Sequence, residues 1–219
     1  MLPEYIDIPI VPLPNVTFFP QTFLPLHVFE PRYRTMTSNC LAGDRLMGVS
    51  LLKEGWQKDY FGRPPICKTF GIGKIINSER QEDGCYNIVL EGVFRARTIE
   101  EFPTQPYRTA RASVLQDAPI DGRRAQVGEM MKALRTLTAQ LTRRLPQLKE
   151  TVASAFAAHP HPLVVANQLA SALVIDAYDR QSILEQDDPL RRLQLLLIQV
   201  RNLIHQLSDQ VHEGIVGEE

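Results

Sequence analysis

The sequence predicts an α+β fold, in which a β-rich N-terminal part, residues 1–117, closes into a small barrel and a C-terminal α-helical bundle fills residues 118–219. Three observations carry this reading. Most glycines and prolines lie before residue 118, where they separate short apolar runs. The strongest turn signal, Asp83-Gly84, stands between two long alternating runs and marks a hairpin. Beyond residue 118 apolar residues recur every three or four positions, the repeat of a helix face. The segment Asp117-Ala-Pro-Ile-Asp-Gly-Arg, with Pro119 and Gly122 as breakers, is the natural linker.

In the first part, Ile6 to Leu13 reads as a strand with Ile6, Ile8 and Ile10 turned inward. Its prolines at 9, 12 and 14 cannot donate ladder hydrogen bonds, which predicts an edge or a strand entrance. A helix starts near Pro31 and runs to about Ala42. Arg45 to Leu52 is a short apolar strand. Lys68 to Asn77 and Tyr86 to Ile99 flank the turn Gln81-Glu-Asp-Gly, and Arg108 to Leu115 alternates Ala110, Ala112 and Val114 with polar neighbours. Many short strands, tight turns and one helix predict a closed or partly open barrel with one or two short helices.

In the second part, Val127, Met130, Met131, Leu134, Leu137 and Leu141 share one helical face. Pro146 ends that helix or opens the next, whose face carries Val152, Ala155 and Phe156. Pro160 and Pro162 bracket a further start, before Val165, Leu169, Ala172 and Leu173. Asp179 is placed to cap a short helix from Arg180 to Glu185. Asp188-Pro189 then opens the last helix with Asp as N-cap and Pro at the first helical position. Its seam, from Leu190 through Leu193, Leu197, Val200, Ile204 and Leu207 to Val211, has the period of a coiled coil. Leu196 and Leu203 widen that face toward packing within the chain. Both outcomes stay open, and the helix over 189–212 is the surface through which a homo-oligomer would form.

The 24 basic and 25 acidic residues leave a net charge of −1. Such a balance provides no general field for nucleic acid or an anionic membrane. The three cysteines, Cys40, Cys67 and Cys85, form no C-x-x-C pair and read as free thiols in a reducing compartment. The N-terminus lacks a basic stretch followed by an apolar one, and no apolar run has the length of a membrane span. A soluble, cytoplasmic protein is the expectation.

Several segments, in order along nearly the whole chain, resemble the substrate-binding N-terminal domain of Lon proteases. They are Ile8-Pro-Ile-Val-Pro-Leu-Pro-Asn-Val-Thr-Phe-Phe-Pro with Leu24-Pro-Leu-His-Val-Phe-Glu-Pro-Arg-Tyr, then Gly71-Ile-Gly-Lys-Ile-Ile with Asp83-Gly-Cys-Tyr-Asn-Ile-Val-Leu-Glu-Gly-Val-Phe, then Asp179-Arg-Gln-Ser-Ile-Leu-Glu with Pro189-Leu-Arg-Arg-Leu. The version at Phe29 to Tyr33 is similar to stand-alone bacterial members. The resemblance implies a PUA-like pseudobarrel followed by a helical bundle. It also implies a role in binding unfolded polypeptide or a protein partner rather than in catalysis. The sequence carries no G-x-x-x-x-G-K-[ST] phosphate cradle and no Gly-rich loop presenting a Ser to a Lys, so no catalytic residue and no cofactor is expected. Two other readings stand beside this one. PUA-like barrels also occur in RNA-binding proteins, although the near-neutral charge argues against that role. A component of an ATP-dependent peptidase is the third.

The candidate peptide contacts are Phe29, Tyr33, Trp56, Tyr60 and Phe61, because aromatics in a polar, glycine-containing stretch bring large contact area at low entropic cost. A satellite core under the loop accounts for Trp56, Tyr60 and Phe61 equally well. Arg32 and Glu91 form a candidate polar pair at the barrel mouth. Arg95 and Arg97 share a strand face from which phosphate contacts are conceivable. His159-Pro-His161 reads as a solvated turn rather than half of a metal site.

Overall fold

The computed structural model describes residues 3–60, 62–103, 106–158 and 161–216, without side chains at 158 and 210–216. Contacts divide the chain into two compact units, one of residues 1–116 with 176–185, the other of residues 117–175 with 186–219. Together they make an α+β fold.

The first unit is built on β1 (Tyr5–Leu13), β2 (Phe23–Val28), β3 (Leu46–Leu51), β4 (Thr69–Arg80), β5 (Tyr86–Phe102) and β6 (Arg108–Leu115), with α1 (Pro31–Ala42) between β2 and β3. The strands run in the order β2-β5-β4-β3-β1-β6, and β6 pairs again with β5. That second pairing closes β5, β4, β3, β1 and β6 into a barrel, which removes their edges. β5 is long enough to serve three partners. Its first half pairs β2 and β4, and its second half pairs β4 and β6. Register shifts at Ile72/Gly73, Ile75/Asn77 and Thr98/Glu100 bend these strands around the barrel. Gly84, with φ of 82°, supplies the left-handed residue of the β4–β5 turn.

β1 explains its prolines in a way the sequence only half conveys. It is not an edge. Residues from Tyr5 to Ile10 pair antiparallel with β6, and those from Ile10 to Leu13 pair parallel with β3. Each half is therefore bonded on one side, which leaves room for Pro9 and Pro12, neither of which has an N–H to donate. The true edge is β2, which pairs only with β5. It carries a proline of its own, Pro25.

Ile8, Ile10, Phe70, Ile72 and Ala112 share one core cluster, and Val11, Phe18, Met47, Ile75 and Leu90 share another with Met36 and Cys40 of α1. The Phe18–Phe19 segment lies against β4 and β5 at their glycines. A Cβ built on Gly71 would come within 2.1 Å of the Phe18 carbonyl oxygen, and one on Gly92 within 2.1 Å of the Phe19 carbonyl oxygen. All three cysteines are buried free thiols, in keeping with their reading as small core residues.

α5 (Ala177–Leu184) belongs to this first unit although it follows most of the helical chain. A break at residue 117 assumes that units follow chain order, whereas buried polar bonds decide the matter. Gln181 Nε2 donates to Thr69 O at 2.8 Å, Thr17 Oγ1 to Ala177 O at 3.0 Å, and Arg95 Nη1 to Leu184 O at 2.6 Å. Arg95 is thus not a surface phosphate contact. It is 2% exposed, and its guanidinium bonds a carbonyl in the last turn of α5, where a cation also suits the helix dipole. The N-cap of α5 is Asp176, not Asp179. Its carboxylate accepts from the N–H groups of Tyr178 at 2.8 Å and Asp179 at 2.9 Å, so the helix starts three residues earlier than Asp179 suggests.

The second unit contains α2 (Arg124–Arg144), α3 (Lys149–Ala158), α4 (Pro162–Leu173) and α6 (Pro189–Val216). Asp188 caps α6 as expected, its carboxylate accepting from Leu190 N at 3.1 Å. Leu193, Leu196, Leu197 and Val200 of α6 are buried, and α6 packs on α2 and α4. That half of the apolar seam is used within the chain. Arg192, 1% exposed, is paired with Asp117 at 2.6 Å and donates to Gln186 O at 2.6 Å. Among the described residues no helix is long and apolar enough to cross a membrane.

Candidate functional site

The first unit holds a cavity of about 210 Å³. It forms where the start of α1, the loop after a 3-10 turn at Trp56–Asp59 and the start of β6 converge. Its charged lining consists of three arginines, Arg32, Arg63 and Arg108, interleaved with Tyr33, Tyr60 and Tyr107. Prolines 12, 64 and 106 supply rigid apolar wall.

Local sequence explains the convergence. Glu30 stands in extended backbone before Pro31, the ordinary entry to a helix, and its side chain does not cap α1. The carboxylate instead turns to the cavity wall. It accepts from Arg32 Nε at 3.0 Å and from the Tyr60 hydroxyl at 2.7 Å, tying the start of α1 to the loop. Arg32 also donates to the Tyr60 carbonyl at 3.3 Å, and its guanidinium lies 4.7 Å from the centre of the Tyr33 ring. Across the cavity Arg108 pairs with Glu101 at 3.0 Å and donates to Pro64 O at 2.8 Å. Arg63 donates to Phe102 O at 2.9 Å.

Electrostatics follow this geometry. Burial pushes the Tyr33 hydroxyl up to about 12, so it is neutral and able to donate at physiological pH. Burial also holds Arg108 below the ordinary arginine range. Glu101 opposes that effect, while the nearby Arg63 adds to it by like-charge repulsion. The acceptor from Tyr60, Glu30, raises the Tyr60 hydroxyl's pKa. Nothing in the wall is arranged as nucleophile, base and oxyanion donors, and among the described residues no group of His, Cys, Asp and Glu could hold a metal.

A second feature adjoins the first through the chain. β2 runs directly into α1, with Phe29 and Glu30 between them. Phe23 and Phe29 bracket β2, exposed by 65% and 60%, and Phe29 stacks on His27 with ring centroids 6.1 Å apart. The side of β2 away from β5 has no strand beside it among the described residues.

Residues 7–202 match the family described as the ATP-dependent protease La (LON) substrate-binding domain. The chain belongs to this Lon family. It is similar to Lon protease 1 of Herpetosiphon aurantiacus, 23% identical over 97% of this chain and 26% of that protein. It is likewise similar to Lon protease 2 of Myxococcus xanthus, 24% identical over 96% of this chain and 26% of that protein. The chain therefore spans about a quarter of the length of these curated relatives. Among solved structures it resembles the N-terminal domain of Mycobacterium avium complex Lon protease, with a TM-score of 0.65, 17% identity and coverage of 90% of this chain and 98% of that one. The Lon N-terminal domain protein from Xanthomonas campestris gives a TM-score of 0.59 at 22% identity, covering 88% and 98%. These two likenesses establish the fold.

Within this Lon-family domain the residues singled out from sequence separate into two places. Arg32, Tyr33 and Tyr60 meet in the cavity. Phe29 lies at the end of the β2 edge. Trp56 is half-buried, packs on the cluster that includes Ile8 and Phe70, and sits 5.5 Å from Tyr60 ring to ring. Phe61 and His159 fall outside the described residues. The ion pair of Arg32 is with Glu30 and not with Glu91. Glu91 lies in β5 opposite Phe23 and Lys74, whereas Glu30 is two residues from Arg32. Phe23, Arg63, Tyr107 and Arg108 were not singled out. Arg63 and Arg108 stand 45 residues apart in the chain (108 − 63) and carry no motif. Phe23 had a usable signal in the alternation Phe23-Leu-Pro-Leu-His-Val.

Proposed function

We propose that this chain is a non-catalytic recognition module that binds extended or unfolded polypeptide segments. The observation that carries the reading is the β2 edge, left unpaired on one side and bracketed by exposed Phe23 and Phe29. A peptide added beside β2 gains main-chain hydrogen bonds whatever its sequence, while the two phenyl rings hold its apolar side chains. Sequence-tolerant binding of this kind suits a protein whose clients share only the property of being unfolded. Pro25 withholds one donor from the edge, a feature that limits indiscriminate edge-to-edge pairing. Phe29, Tyr33 and Tyr60 are assigned as contacts, with Trp56 supporting the loop that carries Tyr60. Family membership supports the same role, and the near-neutral charge disfavours nucleic acid.

The test is fluorescence anisotropy of a labelled, permanently unfolded polypeptide, with a folded protein as control and no nucleotide. Saturable binding to the unfolded chain alone, with that chain left intact, is expected. The double change Phe23→Ala, Phe29→Ala should weaken it about tenfold, as loss of an aromatic contact does. Because both rings are exposed, the melting temperature should hardly move. Unchanged affinity in a folded double variant refutes the assignment to β2, and cleavage of the probe refutes the non-catalytic reading.

A further inference from the structure

We infer that the β2 edge takes an antiparallel strand whose apolar side chains stand at every second position, so that it reads uncharged segments built to form strands rather than helices. The inference rests on the proposed use of this edge and names the class of segment that fits it.

The hydrogen bonds decide which residues of β2 face outward. Gly92 N donates to Thr22 O at 2.9 Å, just before the pairs that run from Phe23 opposite Glu91 to Val28 opposite Tyr86. Bonded pairs alternate in an antiparallel ladder, so Leu24, Leu26 and Val28 turn their main chain to β5. The β4–β5 hairpin agrees. Gln81 N donates to Cys85 O at 2.8 Å, which turns the main chain of Asn87 to β4 and leaves that of Tyr86 and Ile88 for β2. Phe23, Pro25 and His27 therefore present their main chain to the open side. A proline is tolerated in mid-strand because its missing N–H withholds nothing from β5.

Side chains follow the same alternation. Leu24, Leu26 and Val28 pack against the core cluster that includes Met36 and Cys40 of α1, yet each stays partly exposed. A strand laid beside β2 brings every second side chain next to this row and extends the core across the edge. Its intervening side chains lie beside Phe23, Pro25 and His27 on the exposed face. Apolar residues spaced by three and four, as on a helix, cannot fill the row. Charge points the same way. From Gln21 to Phe29 there is no Asp, Glu, Lys or Arg, so nothing favours a charged segment, and the edge lacks the charged guards that keep strands apart.

Pro25 also selects against a second copy of β2. An ordinary segment misses one bond, where its carbonyl meets the proline. Two β2 edges paired with each other lose a donor from both strands, twice that loss.

The experiment uses the full chain and labelled peptides of one length and composition, Val among Ser and Thr, read by fluorescence anisotropy. The peptide with Val at every second position is expected to bind at least about fivefold more tightly than one with Val spaced by three and four. In the alternating peptide, N-methylation of the Ser and Thr residues, whose N–H groups face β2, should weaken binding at least about tenfold. N-methylation of the Val residues should leave it nearly unchanged. Pro25→Val restores an outward N–H and should tighten binding about threefold to tenfold without lowering the melting temperature. Equal binding of the two spacings, with N-methylation of Ser and Thr still harmful, overturns the strand pattern and leaves the edge reading standing. Sensitivity at Val instead overturns the antiparallel sense. Binding that neither methylated set disturbs overturns both the pattern and the edge. Unchanged affinity of a folded, monomeric Pro25→Val protein overturns the assignment of outward residues, whereas a new dimer of that variant supports it. A labelled copy of residues 21–29 binding as tightly as the alternating peptide overturns the choice of a foreign segment over a second copy.

Discussion

Replacing Glu30 by Gln tests whether its carboxylate ties the start of α1 to the loop that carries Tyr60. Gln keeps the length and an acceptor oxygen but removes the charge. On the stability side, Glu30 holds Arg32 at 3.0 Å and the Tyr60 hydroxyl at 2.7 Å, with side chains of the ion pair exposed by 21% and 17%. An ion pair at that depth contributes somewhat more than the ~0–1 kcal/mol of a surface pair, and weakening the hydrogen bond to a charged acceptor adds roughly 1 kcal/mol. A loss of about 1–3 kcal/mol follows. Urea unfolding reads the loss. A variant as stable as the natural protein would refute the tie between the start of α1 and the loop that carries Tyr60.

Two further tests address the frame that holds the site. Gly92→Ala drives a Cβ to 2.1 Å from the Phe19 carbonyl oxygen, a backbone atom with no freedom to swing away. It should cost about 3 kcal/mol or more and lower the melting temperature by roughly 6–12 °C. Gly128→Ala, in the interior of α2 with nothing within 4 Å of the new Cβ, should instead stabilise by about 0.5–1 kcal/mol. Equal responses at the two glycines would contradict the packing of the Phe18–Phe19 segment. Alkaline pH provides the second test, since burial pushes Cys40 from 9.0 and Tyr33 from 10.0 up to about 12. Both groups are held protonated in the folded state, so the unfolded chain releases its protons first. Their contribution is complete below about pH 9 and is lost as pH rises toward 12. Cys40 alone should remove about 2 kcal/mol between pH 9 and pH 10.5 in urea titrations, and Cys40→Ala should flatten that slope. A slope unchanged by the substitution would remove Cys40 as the cause.

The fold was legible where local chemistry and tertiary placement agree. α1 runs from Pro31 to Ala42 because Pro at the first helical position states its start, and Asp188-Pro189 does the same for α6. The Asp83-Gly84 turn fixed the β4–β5 hairpin in the same manner. Legibility failed where one residue answers to two partners. Pro9 and Pro12 signalled a missing hydrogen bond but not that β1 changes partner at Ile10, which depends on the closure of the whole barrel. Asp176 and Asp179 are both suitable caps, and only the buried bonds of Thr17, Arg95 and Gln181 place α5 so that Asp176 takes the role. For the site, Tyr33 and Tyr60 of the cavity wall were visible in the sequence because aromatic type carries a signal of its own. Arg63 and Arg108 were not, since an isolated arginine on a loop or strand reads as a solvated charge until the fold brings several together. Arg95 shows the reverse error, a charge that reads as exposed and is buried against a helix end.

A module that must hold unfolded chains faces a conflict between tolerance and choice. An edge strand supplies tolerance, because peptide N–H and C=O groups are the same in every sequence. It supplies little discrimination, and many weak main-chain contacts would hold any exposed strand equally. The exposed rings of Phe23 and Phe29, at the two ends of β2, would bias the edge toward segments that carry apolar side chains, the residues a folded protein keeps inside. Glu30, two residues beyond β2, bonds both Arg32 and the Tyr60 hydroxyl, so the chain passes from the edge directly into the cavity wall and the loop that carries Tyr60 is tied to the strand's end.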